Sequence, residues 1–169
     1  LAGQYFREQE FDKARDIYAS LYQKTGQIHY FQQYTECLIQ LKDFDQAEKE
    51  LKTFSKKNPN HSKSIADLIY VYTLQGKNDK AEKRLNEVLK GLPANAPSIR
   101  GLSNAFQARG LYNMAIAILD KGNKLLEGEE NFYLDLAYLN QSMLNYQEAF
   151  RYYFLELEAH PGQYNNIRN

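Results

Sequence analysis

The chain has 169 residues, of which 43% are hydrophobic and 25% charged, proportions that fit a folded protein and exclude a disordered one. Lys plus Arg and Asp plus Glu number 21 each. This balance argues against a dedicated binder of nucleic acid or acidic membranes, because phosphate binding normally leaves a basic excess. A single cysteine, Cys37, excludes an internal disulfide framework and a cysteine-based zinc site.

Along the chain, one short pattern keeps returning. The stretch FDKARDIYASLY, which begins at Phe11, is followed 33 residues later by FDQAEKELKTFS, which begins at Phe44. Alanines hold the same register at intervals of 33, 34, 34 and 34 residues, and their small side chains predict close contact between helices there. They are Ala14, Ala47, Ala81, Ala115 and Ala149. Mostly large residues fill two columns, thirteen and nine positions before each alanine: Leu1, Tyr34, Leu68, Leu102 and Leu136, and Tyr5, Leu38, Tyr72, Phe106 and Asn140.

Each copy predicts a pair of helices. Large residues four apart, such as Leu68 and Tyr72, form the apolar side of a first helix. Carboxylates two positions before the alanine, such as Asp45, suit the first turn of a second helix, where the macrodipole is positive. Gly76 and Gly110 lie between the two helices of their copies, where a left-handed cap is expected. The predicted pairs are 1–9 with 12–24, 29–41 with 44–57, 63–75 with 78–91, 97–109 with 112–126, and 131–143 with 146–159.

These columns resemble the tetratricopeptide repeat (TPR), a 34-residue helical repeat with large, small and proline positions in this order. The resemblance covers nearly the whole chain and implies an all-α fold, a right-handed α-solenoid of antiparallel helix pairs (a TPR superhelix). It implies a single TPR array over 1–169, with 164–169 as the start of a further helix. Because neither end carries a recognisable polar cap, we expect a segment of a longer chain. The repeats lie near 1–27, 28–61, 62–95, 96–129 and 130–163.

Side chains suited to catalysis or metal binding form no recognised pattern. His29, His61 and His160 are scattered, and we interpret them as solvated or helix-end residues. Cys37, which precedes the core position Leu38, is interpreted as a small buried side chain rather than a reactive thiol. Phosphate-loop, nucleophile-elbow and zinc-protease motifs are absent from the sequence. We therefore predict a protein that is not an enzyme, with no cofactor and no metal.

A binding surface is predicted on the first helices. Tyr70 and Tyr138 fall outside the core columns, eleven positions before their alanines, on the side that the TPR resemblance implies is concave. Tyrosines and amides there suit an extended peptide or a partner helix, because they give contact area at low entropic cost. The candidate residues on this side are Gln33, Glu36, Asp67, Tyr70, Arg100, Asn104, Gln107, Asp135 and Tyr138.

One TPR subfamily clamps the C-terminal carboxylate of its ligand, and the resemblance does not extend to that subfamily. The clamp uses a basic residue with an Asn four positions later, which Arg100 and Asn104 match. It uses a further Asn in the next repeat, where this chain has Asp135. An acidic side chain at that place repels a carboxylate ligand, so we reject this mode of binding.

The predicted function is a protein–protein interaction scaffold that binds a protein or peptide partner in a concave groove. Two alternatives stay open: a regulatory domain that senses a peptide and changes its curvature, and a targeting arm of a larger multi-domain or membrane-anchored protein. Nucleic-acid binding and membrane insertion within this segment are not expected, because charge is balanced and no run approaches the roughly 18 apolar residues of a membrane helix. A soluble segment with one cysteine is compatible with both the cytoplasm and the bacterial periplasm.

Overall fold

A computed structural model describes residues 1–126 and 130–163 of the chain. Over these residues the structure is helical and contains no strand, which confirms the predicted all-α class. A 3-10 turn covers Pro161–Gln163, and the predicted further helix at 164–169 lies outside the described residues. The α-helices are α1 Ala2–Arg7, α2 Phe11–Thr25, α3 Ile28–Gln40, α4 Phe44–Lys57, α5 Ser62–Leu74, α6 Asn78–Lys90, α7 Ala96–Gln107, α8 Tyr112–Leu126, α9 Tyr133–Ser142 and α10 Tyr146–Ala159.

Every helix begins and ends within two residues of its predicted bounds. The largest differences are two residues, at the ends of α1 and α7 and at the start of α9, which is predicted at 131 and lies at Tyr133. At the start of α9, two asparagine side chains bond to the backbone of the N-cap residue Phe132 and of the first helical residue, Tyr133. Asn123 Oδ1 accepts the backbone N–H of Phe132 at 2.8 Å, and Asn131 Oδ1 accepts that of Tyr133 at 3.1 Å. These amides satisfy backbone donors that an earlier helix start would leave without partners.

The chain forms two compact units, Leu1–Arg84 and Leu85–Asn169, called here the N-terminal and the C-terminal unit. In the N-terminal unit, α1 packs on α2, α2 on α3, α3 on α4, and α4 on α5. In the C-terminal unit, α7 packs on α8, α8 on α9, and α9 on α10. Within each unit a helix pair buries its apolar side against its neighbour in the chain, as expected for a helical repeat. That all five pairs form one continuous array stays a prediction.

The recurring alanines lie where the sequence predicts, at contacts between helices. None of the five is more than 3% exposed. Gly122 in the middle of α8 serves a similar purpose in the C-terminal unit. A Cβ atom at Gly122 would lie 2.7 Å from Cγ2 of Ile99 and 2.7 Å from Cε2 of Phe132, both fully buried. Glycine therefore lets α8 approach two large core side chains, which offsets its low helix propensity.

The turn inside each helix pair has the same backbone geometry in all five copies. Gly76 and Gly110 have φ of 70°, which confirms the predicted left-handed caps. The same register position, five before the alanine, is also left-handed at Gln9, Lys42 and Leu144, with φ near 60°. In every copy the next residue donates its N–H to the carbonyl five positions earlier, as Lys77 does to Tyr72 at 2.9 Å. This is the Schellman arrangement, which satisfies carbonyl groups at the end of the first helix.

Candidate binding surfaces on the first helices

A cavity of about 470 Å³ lies in the C-terminal unit, lined by α7, α9 and the end of α10. It brings together three residues that the sequence analysis places on the binding side: Arg100 from α7, and Asp135 and Tyr138 from α9. The other lining residues are Glu130, Asn131, Leu134, Glu156 and His160. Among the described lining residues, three carboxylates face one guanidinium and one imidazole, which makes the cavity acid-rich.

An ion pair joins the two first helices that line this cavity. Arg100 Nε donates to Oδ2 of Asp135 at 3.1 Å, and the guanidinium carbon lies 5.2 Å from the centre of the Phe132 ring. The two charged residues are 35 positions apart, one repeat in the chain, so neighbouring first helices place them side by side. Because Asp135 compensates Arg100, this arginine offers little attraction to a carboxylate ligand.

Tyr138 is the most exposed aromatic side chain of the cavity, at 54%. Its ring meets the ring of Tyr153 edge to face, with 6.0 Å between the ring centres and 83° between the planes. The Tyr153 hydroxyl donates to Oε1 of Gln141 at 2.9 Å, and burial raises the pKa of Tyr153. One side of Tyr138 is thus held against α10, while the rest of the ring is open to a ligand.

Five of the cavity residues were not among the sequence-predicted site residues, and two of these, Glu156 and His160, form a pair. Glu156 is only 3% exposed, and its Oε1 lies 3.0 Å from Nδ1 of His160 one helical turn later. A signal was present in the sequence: Glu156 stands seven positions after Ala149, where the TPR pattern has a small or apolar residue. A buried acid four residues before a histidine is a pair that a helix brings together.

A second cavity, of about 570 Å³, lies in the N-terminal unit between α1, α2 and α3. Gln33 is the one predicted site residue among those that line it. The Tyr18 and Tyr30 ring centres are 6.4 Å apart, and burial raises the pKa of Tyr18. The lining is mainly apolar and aromatic, with Arg7 and His29 at its polar side; the remaining residues are Leu1, Ala2, Gly3, Phe6 and Leu21.

The remaining predicted residues of the N-terminal unit differ in how much surface they offer. Glu36 is half-buried and accepts a hydrogen bond from Nε2 of Gln40 at 2.9 Å. Asp67 is only 2% exposed, and its Oδ2 lies 3.3 Å from Nζ of Lys63 on the same helix. Tyr70 is half-buried on α5. Tyr70 and Glu36 therefore offer more contact surface than Asp67.

Asn104 and Gln107 are both exposed on α7 in the C-terminal unit. Neither lines the cavity that holds Arg100, Asp135 and Tyr138. The structure thus brings together three of the five predicted residues of this unit and leaves the other two on the open surface of α7.

Cys37 is fully buried, as predicted, and burial raises the pKa of its thiol to about 11, which disfavours the reactive thiolate. Over residues 1–126 and 130–163, no group of three or more His, Cys, Asp or Glu side chains is arranged to hold a metal ion. In the same part of the chain, no helix is both long and apolar enough to cross a bilayer.

Comparison with known proteins gives general structural likeness and no match in sequence. No protein-family model matches the chain, and no curated protein matches it significantly. Among solved structures, MamA residues 41 to the end from Desulfovibrio magneticus RS-1 is 18% identical with a TM-score of 0.48, covering 96% of this chain and 93% of that one. TTC0263, a thermophilic TPR protein of Thermus thermophilus, is 19% identical with a TM-score of 0.48, covering 99% of this chain and 93% of its own.

The repeat character is carried by features of the chain itself. Helix pairs recur at 33- to 34-residue spacing, and each pair has a buried alanine at the same register. Every pair also has a left-handed residue and a Schellman hydrogen bond in its turn. Together these features make the chain a TPR-like helical repeat protein.

Proposed function

We propose that the chain is a protein-interaction scaffold whose first helices bind a peptide or a partner helix. The observation that carries the proposal is the cavity of the C-terminal unit, where Arg100, Asp135 and Tyr138 lie together. These residues come from two neighbouring first helices, so a ligand there contacts more than one repeat. A concave site with an exposed aromatic ring and a few charged groups suits recognition of protein side chains.

The charge of this cavity favours a basic side chain of the partner. Among the described lining residues, Glu130, Asp135 and Glu156 supply three carboxylates, and Arg100 carries the one fixed positive charge. A Lys or Arg side chain of a peptide gains attraction from this excess and can stack on the open side of the Tyr138 ring. The partner is therefore proposed to carry at least one basic residue.

The cavity of the N-terminal unit favours a different kind of side chain. Phe6, Tyr18 and Tyr30 provide aromatic walls, and no carboxylate is among the lining residues. An apolar or aromatic side chain gains most from burial there, since buried apolar area contributes about 25 cal/mol per Å². The two units thus offer sites of different chemistry.

Tyr138→Ala tests the proposal against a matched control. A phage-displayed library of random peptides is selected on the immobilised chain, and the selected peptides are titrated against Tyr138→Ala and Tyr146→Ala. Tyr146 is the matched control because it is equally exposed, at 54%, and does not line the cavity. Loss of the Tyr138 ring is expected to weaken binding by roughly 5- to 50-fold, the range for a contacting aromatic side chain.

Comparison of the two variants separates binding at the cavity from nonspecific binding elsewhere on the surface. Selected peptides are expected to be rich in Lys and Arg and to bind the Tyr146→Ala variant like the unmodified chain. Peptides that bind Tyr138→Ala equally well would show that this cavity is not the binding site. Melting temperatures of both variants, followed by circular dichroism, are expected to stay within about 2 °C of the unmodified chain because each tyrosine is more than half exposed.

A further inference from the structure

The outer side of α10 carries a continuous row of large apolar side chains. Tyr146, Phe150, Phe154 and Leu157 stand at i, i+4, i+8 and i+11, which places them within one quarter of the helix circumference. The three aromatic side chains are 54%, 61% and 64% exposed. Tyr152 on the opposite side of α10 and Ala149 beside the row are buried. We call these four residues the α10 face.

The corresponding surface of α4 meets the next helix pair. Phe150 and Phe154 lie one and five positions after Ala149, and the matching residues of α4 are Glu48 and Lys52. Glu48 Oε2 lies 2.7 Å from Nζ of Lys77, and Lys52 Nζ lies 5.6 Å from the ring centre of Tyr72; both partners belong to the next copy.

The same relation holds in the C-terminal unit. Asp120 of α8 stands five positions after Ala115, in the register of Phe154. Its Oδ1 accepts a hydrogen bond from the Tyr152 hydroxyl of the next helix pair at 3.1 Å. The register of Phe150 and Phe154 is therefore the one through which α4 and α8 contact the helix pair that follows each of them.

We propose that two copies of the chain associate through the α10 face, with the two α10 helices packed against each other about a twofold axis. An antiparallel arrangement places Phe150 of one copy next to Phe154 of the other and Tyr146 next to Leu157. Such an isologous contact is self-complementary, because each copy supplies the same surface. It buries aromatic rings that otherwise stay in water.

Stacking of the α10 face on the first helix pair of another copy is disfavoured. The first-pair residues that correspond to Tyr72, Lys77 and Lys80 are Tyr5, Glu10 and Lys13. Lys13 pairs with Glu10 and also lies 5.2 Å from the Tyr5 ring centre. Covering this ion pair with phenylalanine rings removes its hydration without a new partner. The twofold contact avoids this cost.

The size of the α10 face fits a weak, reversible dimer. A large aromatic side chain has about 200 Å² to bury, so exposures near 60% leave about 120 Å² on each ring. Three rings from each of two copies then bury at most about 700 Å², which lies below the roughly 1,200 Å² of stable specific interfaces and suits a weak association. Beside the face, Arg151 Nε lies 2.7 Å from Oε2 of Glu148, a polar rim typical of interfaces.

Sedimentation velocity over about 1 to 500 µM protein tests the proposal. The unmodified chain is expected to shift reversibly from one to two chain masses as concentration rises. The double variant Phe150→Glu/Phe154→Glu is expected to stay at one chain mass throughout, because it places four carboxylates in the twofold contact. Tyr138→Ala is the control from outside the α10 face: this α9 side chain is also more than half exposed, and the variant is expected to dimerise like the unmodified chain.

Three results would contradict the twofold dimer. An unmodified chain that stays at one chain mass up to 500 µM overturns the proposal, as does a double variant that dimerises normally. Growth past two chain masses indicates open head-to-tail stacking and overturns the twofold arrangement. Phe154→Ser provides a milder second variant, expected to raise the dimer dissociation constant by about 5- to 20-fold with its helical circular dichroism unchanged. None of these readouts depends on the peptide proposal.

Discussion

A single left-handed residue shapes the turn of every helix pair, and its identity sets the energy of that turn. Left-handed backbone costs a residue with a Cβ roughly 1–2 kcal/mol, whereas glycine adopts it without strain. Gly76 and Gly110 meet this requirement, but Leu144 has φ of 60° between α9 and α10. Its side chain is also 71% exposed, so little burial compensates the strain.

Leu144→Gly is expected to stabilise the protein. Relief of the strained backbone gains roughly 1–2 kcal/mol, and the greater freedom of glycine in the unfolded chain takes back part of it, leaving about 0.5–1 kcal/mol. The melting temperature, followed by circular dichroism at 222 nm, is expected to rise by about 1–4 °C. Gly110→Ala is the converse control and is expected to lower it; a fall with Leu144→Gly would contradict the strain.

The sequence alone identifies the residues that repeat and overlooks those that do not. The alanine column and the buried Cys37 are confirmed because a small or apolar side chain at a helical position has one obvious destination, the core. Glu156 pairs with His160 in one repeat only. Comparing the five copies therefore shows that Glu156 differs from the repeat pattern, but it does not identify His160 as its partner. The same comparison passes over Leu144, because its constraint lies in the backbone rather than the side chain.

Between elements, a buried carboxylate ties α4 to the following helix pair. Glu48 is mostly buried on α4 and pairs with Lys52 of its own helix and with Lys77 of the α5–α6 turn. Burial alone would raise the pKa of Glu48, but the hydrogen bonds from Lys52 and Lys77 outweigh burial and lower the pKa to about 2. The ionised form of Glu48 is therefore part of the stacking contact between two pairs.

The stability from Glu48 is expected to disappear in acid. In the unfolded chain a glutamate binds its proton near pH 4.3, whereas in the folded protein Glu48 binds it near pH 2. Between these values the unfolded chain holds more protons, so falling pH favours unfolding. The contribution, about 1–2 kcal/mol after allowance for the partly exposed lysines, is complete above about pH 5 and lost near pH 2.

Melting temperatures of the unmodified chain and Glu48→Gln between about pH 2 and pH 7 check this expectation. The difference between the two proteins is expected to be largest at neutral pH and to shrink as pH falls. Glu82→Gln, a variant of an exposed glutamate at the same register in α6, is the matched control and is expected to show little difference at any pH. A difference for Glu48→Gln that stays constant with pH would contradict the lowered pKa.

Helix positions were predictable because each boundary has a local cause that recurs, but the contacts between pairs were less so. The predicted ranges of α4, α8 and α10 agree with the structure at both ends. The Arg100–Asp135 pair follows from the 35-residue spacing once neighbouring first helices are side by side. The side chains that line the cavity are set by their rotamers and by the position where α10 ends. The repeat pattern specifies neither of these.

At the scale of the whole molecule, the zero net charge hides two surfaces of opposite character. The cavity of the C-terminal unit has three carboxylates against one arginine, while the α10 face of the same unit has no charged residue among its four members. Composition averages over both. A neutral sequence excludes a strong overall field but leaves local attraction intact over a Debye length of about 10 Å.

Salt is therefore expected to act differently on the two proposed associations. Raising NaCl from about 50 mM to 1 M shortens the Debye length to about 3 Å, so basic peptides are expected to bind the cavity about 5- to 10-fold more weakly. Dimerisation through the α10 face buries apolar rings, so the dimer dissociation constant is expected to change by no more than about twofold. Fluorescence anisotropy of a selected peptide with the Phe150→Glu/Phe154→Glu variant measures peptide binding without dimerisation. Sedimentation velocity of the unmodified chain measures dimerisation. Peptide affinity that does not change with salt would contradict the acid-rich cavity as the binding site. A dimer that dissociates at high salt would be held by charges rather than by the α10 face.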